Sequence, residues 1–472
     1  MRSRSRRSVL GSLAGSLAAL GGCLSSGETG VTPTMTVPST DPTPPSTDQT
    51  PLPTDRTPPP TETPSDTRTA TPAYVPPGGS RPAMFLHLDT LAAIRARVEA
   101  GDEPWTTAYE WFMSDTYNAL QSEPEGVTTG DRNHEFTTAG PDDPDNRGDY
   151  KTAIRVGDQA RDLGLAYQLT GEDEYARGAV DVLDCWFLAH ETYMKPEPTA
   201  SIELFITLPK MWWGAELVRG HDAWERAGVG DESTLREWVA TFLDQLSHEV
   251  PTTFGQQNIF NWLELTHAAG GVYLRDWDRF RTAMSRNRET GFDQLREDGL
   301  LENELPRHKS LTYSIFAMKA LTTAAEISRL YADRLDGPTI YEYAKFDGSR
   351  TALERMYDTH APYILDPQAW RAQSSGPDDE RFRTGEGFPA RSMEKAGALY
   401  EVAYSRFRKD AYVEVVTAGG RPVKNQPTYV EAQQEPIEHE GRPRRDERVL
   451  GWTTLTHGEQ FRLDGIPDPR VG

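Results

Sequence analysis

The chain has 472 residues, 50 basic and 72 acidic, for a formal net charge of −22, a balance that repels nucleic acid. Only nine of the basic residues are lysine, so arginine carries the positive charge on an acidic, lysine-poor chain of the kind suited to high salt. The two cysteines exclude a disulfide framework in the mature domain, and the ten histidines lack ligand spacing, so neither metal nor other cofactor is expected.

The N-terminus reads MRSRSRRSVLGSLAGSLAALGGC. An arginine-rich start followed by a short run of small and apolar residues predicts a cleaved export signal over residues 1–23 rather than a membrane span. Arg6 and Arg7 resemble a twin-arginine signal, and Leu20-Gly21-Gly22-Cys23 resembles a lipobox that would leave Cys23 lipidated. A plain secretory signal is the alternative. Residues 24–80 are rich in Thr, Pro and Ser and nearly free of apolar side chains, so they predict a disordered stalk. The expectation is an extracellular, monomeric domain over residues 81–472, touching the membrane only through a lipid anchor.

From residue 88 the apolar residues fall three and four apart, which predicts helix after helix. LDTLAAIRARVEAG comes first, then AIRVGDQARDLGLAYQLTG and DEYARGAVDVLDCWFLAHETY, joined by the turn Gly171-Glu172-Asp173. IELFITLPKMWWGAELVRGHDAW, DESTLREWVATFLDQLSHEV, IFNWLELTHAAGGVYL and WDRFRTAMSRNRETGFDQL follow. KSLTYSIFAMKALTTAAEISRLYAD and RTALERMYDTHAPYIL continue the series, and strand-like alternation shows only in VEVVTAGGRPV. Helix pairs with short connections and no fixed repeat predict an all-α fold, an (α/α) toroid of helical hairpins.

Two junctions carry residues that packing does not require. In FGQQNIFNW, Gln256, Gln257 and Asn258 precede a helix and exceed what a cap needs. Their amides can bind a carboxylate, and Trp262 one turn on offers a face for a sugar ring. In LLENELPRHKSLTYSIFAMKAL, Pro306 fits the first turn of a helix. Arg307, His308 and Lys309 then crowd its positive end, where the macrodipole disfavours cations. That placement points to a bound anion, or to pairing with Glu302 and Glu304 as a surface cluster. Tyr313 is expected about two turns in. Trp212 and Trp213 read equally as sugar platforms or as core.

The amide junction together with DGLLENELPRHKSLTYSIFA resembles the alginate lyase family of toroid polysaccharide lyases. ARDLGLAYQLTGEDEYARGAVDVLDCWF and RTALERMYDTHAPYI support the likeness, which spans roughly residues 85–365. The resemblance implies β-elimination on an acidic polysaccharide. Arg307 and Asn258, with Gln257 beside it, would neutralise the uronate carboxylate. Tyr313 would remove the C5 proton, protonate the leaving C4 oxygen, or both. The family's Asn-Asn-His segment has no histidine here. That loss implies elimination across one ring face, as on mannuronate-type units, unless His308 or His267 replaces it.

A tyrosine pKa of about 10 is high for a base at neutral pH, and neighbouring cations favour the phenolate. Such a role would explain a cluster of Arg307, His308 and Lys309 near Tyr313. Two readings stay open beside the lyase: a toroid hydrolase using two of Glu264, Asp298, Glu302 and Glu304, and a surface lipoprotein that only binds acidic glycans.

Overall fold

The computed structural model describes residues 74–129, 132–138, 148–199, 202–225, 231–249, 257–307, 310–346, 348, 350–373, 389–418, 446 and 448–458. The expected signal, with Cys23, and the stalk as far as residue 73 lie outside the described residues. The folded unit begins near Ala73. Tyr74 donates its hydroxyl to the Gln168 carbonyl at 2.9 Å, Arg95 stacks on its ring, and the Gly78 N–H donates to Gln168 Oε1. Residues 74–80, grouped with the stalk by composition, therefore pack on the helical domain.

A short antiparallel pair, β1 (Pro82–Ala83) and β2 (Leu86–His87), leads into the helices. These are α1 (Leu88–Glu99), α2 (Trp105–Leu120), α3 (Gly148–Thr170), α4 (Asp173–Phe187), α5 (Ile202–Phe205), α6 (Leu208–Leu217) and α7 (Glu232–Gln245). Then come α8 (Asn258–Leu274), α9 (Trp277–Arg286), α10 (Ser310–Leu330), α11 (Ala352–Leu365), α12 (Pro389–Phe407), α13 (Asp410–Ala418) and α14 (Thr453–His457). Neighbours lead around a circuit, from α3 to α6, α8, α10 and α12, then through α14 to α2 and back to α3. The expected all-α ring of helices is what forms.

Small residues let the inner helices approach closely. A Cβ on Gly214 of α6 would lie 2.5 Å from the Ala160 backbone of α3, so only glycine permits that crossing. Charges buried nearby meet opposite charges. Arg161 is wholly buried against Asp162 and Asp158, and Lys210 donates from Nζ to Asp158 and the Ile154 carbonyl. The last described segment closes the circuit. Trp452 donates from Nε1 to Asp162 and meets Phe112 edge to face, while Thr454 donates to Glu401.

One expectation fails. The described part of VEVVTAGGRPV is helical, within α13, not a strand. Tyr412, Val413, Val415 and Val416 are all buried there, and α13 packs on α11 and α12. Burial on the helical surface outweighs the β preference of valine.

Candidate active site

Helix α8 is buried along nearly its whole length, from Asn258 to Tyr273, as an inner helix of the ring. Its positive end needs partners for free N–H groups. Gln257 occupies the N-cap position in an extended conformation, but its side chain makes no capping hydrogen bond. Glu304 takes that role from a distant segment. Its Oε1 accepts from the Asn258 N–H at 2.7 Å and from Asn258 Nδ2 at 2.9 Å. An anion at a helix N-terminus is favoured by the macrodipole.

The Glu304 carboxylate is fully buried and pairs with Arg307 Nη1 at 3.1 Å. Burial holds its carboxyl above the ordinary value, against Arg307 and Asn258, which favour the ionised form. Arg307 Nη1 also donates to Gln257 Oε1 at 3.4 Å, and Gln257 Nε2 donates to the Asn303 carbonyl at 3.3 Å. The Arg307 guanidinium lies over the Tyr313 ring, 3.3 Å from its centroid. Among the described residues both Arg307 side-chain hydrogen bonds use Nη1, with Nη2 and Nε the atoms that remain to meet a ligand.

Sequence reasoning chose Arg307, Tyr313, Gln257 and Asn258 from two distant stretches, and these four side chains converge. Helix α10 is described from Ser310, and Pro306 and Arg307, expected in its first turn, lie in the turn before it. Tyr313 lies near the start of α10, three residues beyond Ser310. Gln256, His308 and Lys309 lie outside the described residues.

Two expectations are corrected. Trp262 is fully buried and packs on Phe316 at 5.0 Å between centroids, so it is core and offers no face to a sugar. Trp212 and Trp213 are core as well. His267 cannot replace the missing histidine. It is nine residues beyond Asn258, about 13 Å along the helix axis, buried, and stacked on His248 at 3.8 Å. From sequence, Glu304 reads as a surface ion-pair partner or a hydrolase carboxylate, not as the anchor of Asn258 and Arg307. The signal for more was its position three residues before Arg307.

A sequence model of one family, described as alginate lyase, matches residues 99–370, more than half of the chain. The chain belongs to the alginate lyase family. No curated protein matches it. An alginate lyase from Bacteroides ovatus shares the fold at TM-score 0.55 and 19% identity, covering 69% of this chain and 92% of that one. Alginate lyase A1-III from Sphingomonas species A1 aligns at TM-score 0.56 and 17% identity, over 79% of this chain and 95% of that one. A variant of A1-III complexed with tetrasaccharide aligns at 0.54 and 16%, over 81% and 96%.

This alginate lyase family member is thus an (α/α) toroid and a polysaccharide lyase. Three of the four carboxylates considered for a toroid hydrolase are engaged elsewhere. Glu304 serves Asn258 and Arg307, Glu264 is buried against His248 and Arg286, and Asp298 pairs with Arg296.

Proposed function

We propose that the chain cleaves a uronic-acid polymer of the alginate type by β-elimination, with mannuronate-type units favoured. The convergence of Arg307, Gln257 and Asn258 with Tyr313 carries this reading. Arg307, through Nη2 and Nε, and the amides of Gln257 and Asn258 engage the substrate carboxylate. They stabilise the charge that builds on it as the C5 proton leaves, each donor contributing on the order of 3 kcal/mol in comparable oxyanion sites. Tyr313 takes the C5 proton and returns one to the C4 oxygen as the C4–O bond breaks. The product carries a C4=C5 double bond.

A single tyrosine acting as base and acid works on one ring face, which favours substrates whose C5 hydrogen and C4 oxygen lie together. The depth of His267 supports that preference. Separate incubations with polymannuronate and polyguluronate, followed by ultraviolet absorbance of the unsaturated end, test it. Faster cleavage of polyguluronate would reverse the assignment.

The proposal extends to the setting of the enzyme: twin-arginine-type export, a lipid on Cys23, a stalk that holds a monomeric domain off the cell surface, and an acidic surface adapted to high salt. Mass spectrometry of the mature chain tests the anchor. An unmodified Cys23 retained in the mature protein would end that part of the reading.

A further inference from the structure

Tyr313 stands near the start of α10, and Arg329 in its last turn, roughly 24 Å further along the axis. Arg329 lines a half-open cavity of about 260 Å³ bordered by α1, α10, α12 and the α14 segment. Arg97, Arg406, Arg408 and His457 also line it, and no Asp or Glu is among the described residues that do. This is an unusual concentration of cations on a chain of net charge −22.

Two described carboxylates adjoin these cations, one behind the cavity wall and one beside it. Glu326 is fully buried and pairs with Arg329 at 2.8 Å, Arg406 at 2.6 Å and His457 at 3.6 Å. Burial works against its charge, yet His457 and Arg406 hold its carboxyl well below the usual range, so it stays ionised. It orients Arg329 and Arg406 from the rear. Asp102 lies 4.0 Å from Arg97, at the surface, with both side chains nearly half exposed. Four guanidiniums therefore share a concave site, two of them locked by a buried anion. Such forks match a planar carboxylate.

We propose that this cavity is a second anion site, remote from the Tyr313 junction, which takes the carboxylate of one uronate unit. The choice of a uronate over other oxyanions rests on the lyase reading. The size fits one sugar, since the volume is just below the roughly 300–1,000 Å³ of typical small-molecule sites. Such a site would grip the polymer away from the point of cleavage and raise the local concentration of a substrate that the net charge repels.

Calorimetric titration of the full chain with D-glucuronate, glucose and inorganic phosphate tests the site. Arg97 and Arg408 are the side chains to change, because replacing Arg406 would strand the buried Glu326 charge. Glucuronate should still bind Arg307→Ala, in which the Tyr313 junction has lost its guanidinium, and glucose should not bind. The Arg97→Gln, Arg408→Gln double variant, with an unchanged melting temperature, should bind glucuronate at least tenfold more weakly. Binding lost in Arg307→Ala and kept in the double variant would overturn the proposal, as would no binding at all. Phosphate binding without glucuronate binding would overturn the uronate assignment. Failure of the lyase reading shows separately, as no unsaturated product from any polymer.

Discussion

Glu304 accepts two hydrogen bonds from Asn258, from the backbone N–H at 2.7 Å and from Nδ2 at 2.9 Å. The same buried carboxylate is 3.1 Å from Arg307. One anion therefore ties the start of α8 to the turn before α10 and sets the register of the donors proposed to meet the substrate. Glu304→Ala would leave the Asn258 N–H and the Arg307 charge without that partner, at a cost of about 2–4 kcal/mol. Glu304→Gln would keep an acceptor for Asn258 but lose the charge facing Arg307. Urea unfolding should show the large loss only for Ala, while kcat should fall at least tenfold in both. Full activity in Glu304→Gln would show that Arg307 needs no such anchor.

Arg307→Ala removes the guanidinium that stacks on Tyr313 and touches Gln257. Loss of one charge-stabilising donor should lower kcat by about 10²–10³-fold. Stopped-time assays of product absorbance check this. A rise in KM with kcat unchanged would place Arg307 in binding alone.

Trp262 is a stability residue in this account. Trp262→Ala should cost about 3–5 kcal/mol, the usual loss for a large buried aromatic. Trp262→Phe should be much milder and leave KM for the polymer unchanged. A severalfold rise in KM for Trp262→Phe would return that ring to the substrate.

Acid should destabilise the toroid through two buried histidines. Burial, with His248 beside it, pushes the His267 pKa down to about 3, and burial pushes that of His360 down to about 4. Both are below the ordinary value of about 6.5, so between these limits the unfolded chain binds protons that the folded chain refuses. Their stabilising contribution is complete above about pH 6.5 and is lost as pH falls through that window, by up to about 1.4 kcal/mol per pH unit for each. Urea unfolding at pH 7, 6 and 5 should show this decline, and His360→Gln should flatten it. A profile independent of pH would contradict the burial argument.

Much of this was legible because helical periodicity is a local signal. The turn Gly171-Glu172-Asp173 and the apolar spacing on either side placed α3 and α4 well. Arg307 and Tyr313 stood out because cations at a helix start conflict with the macrodipole. The conflict is resolved partly by the place of Arg307 in the turn before α10 and partly by Glu304. What the sequence hid was depth. Trp262 and His267 lie on a helix buried all round, and no periodicity distinguishes a cleft-facing side of such a helix from a core-facing one. The valine-rich end of α13 misled for a related reason, since its partners on α11 and α12 are distant in sequence.

The most direct test of the central claim is ultraviolet absorbance of unsaturated uronate, with reducing ends measured in parallel. Wild type and Tyr313→Phe would be compared on polymannuronate, polyguluronate, glucuronan and hyaluronan in high salt. The account predicts a rise with the wild type, largest on polymannuronate, that falls by about 10²–10⁴-fold in the variant. Undiminished absorbance from Tyr313→Phe would remove Tyr313 from the reaction. Reducing ends released without absorbance would contradict elimination itself.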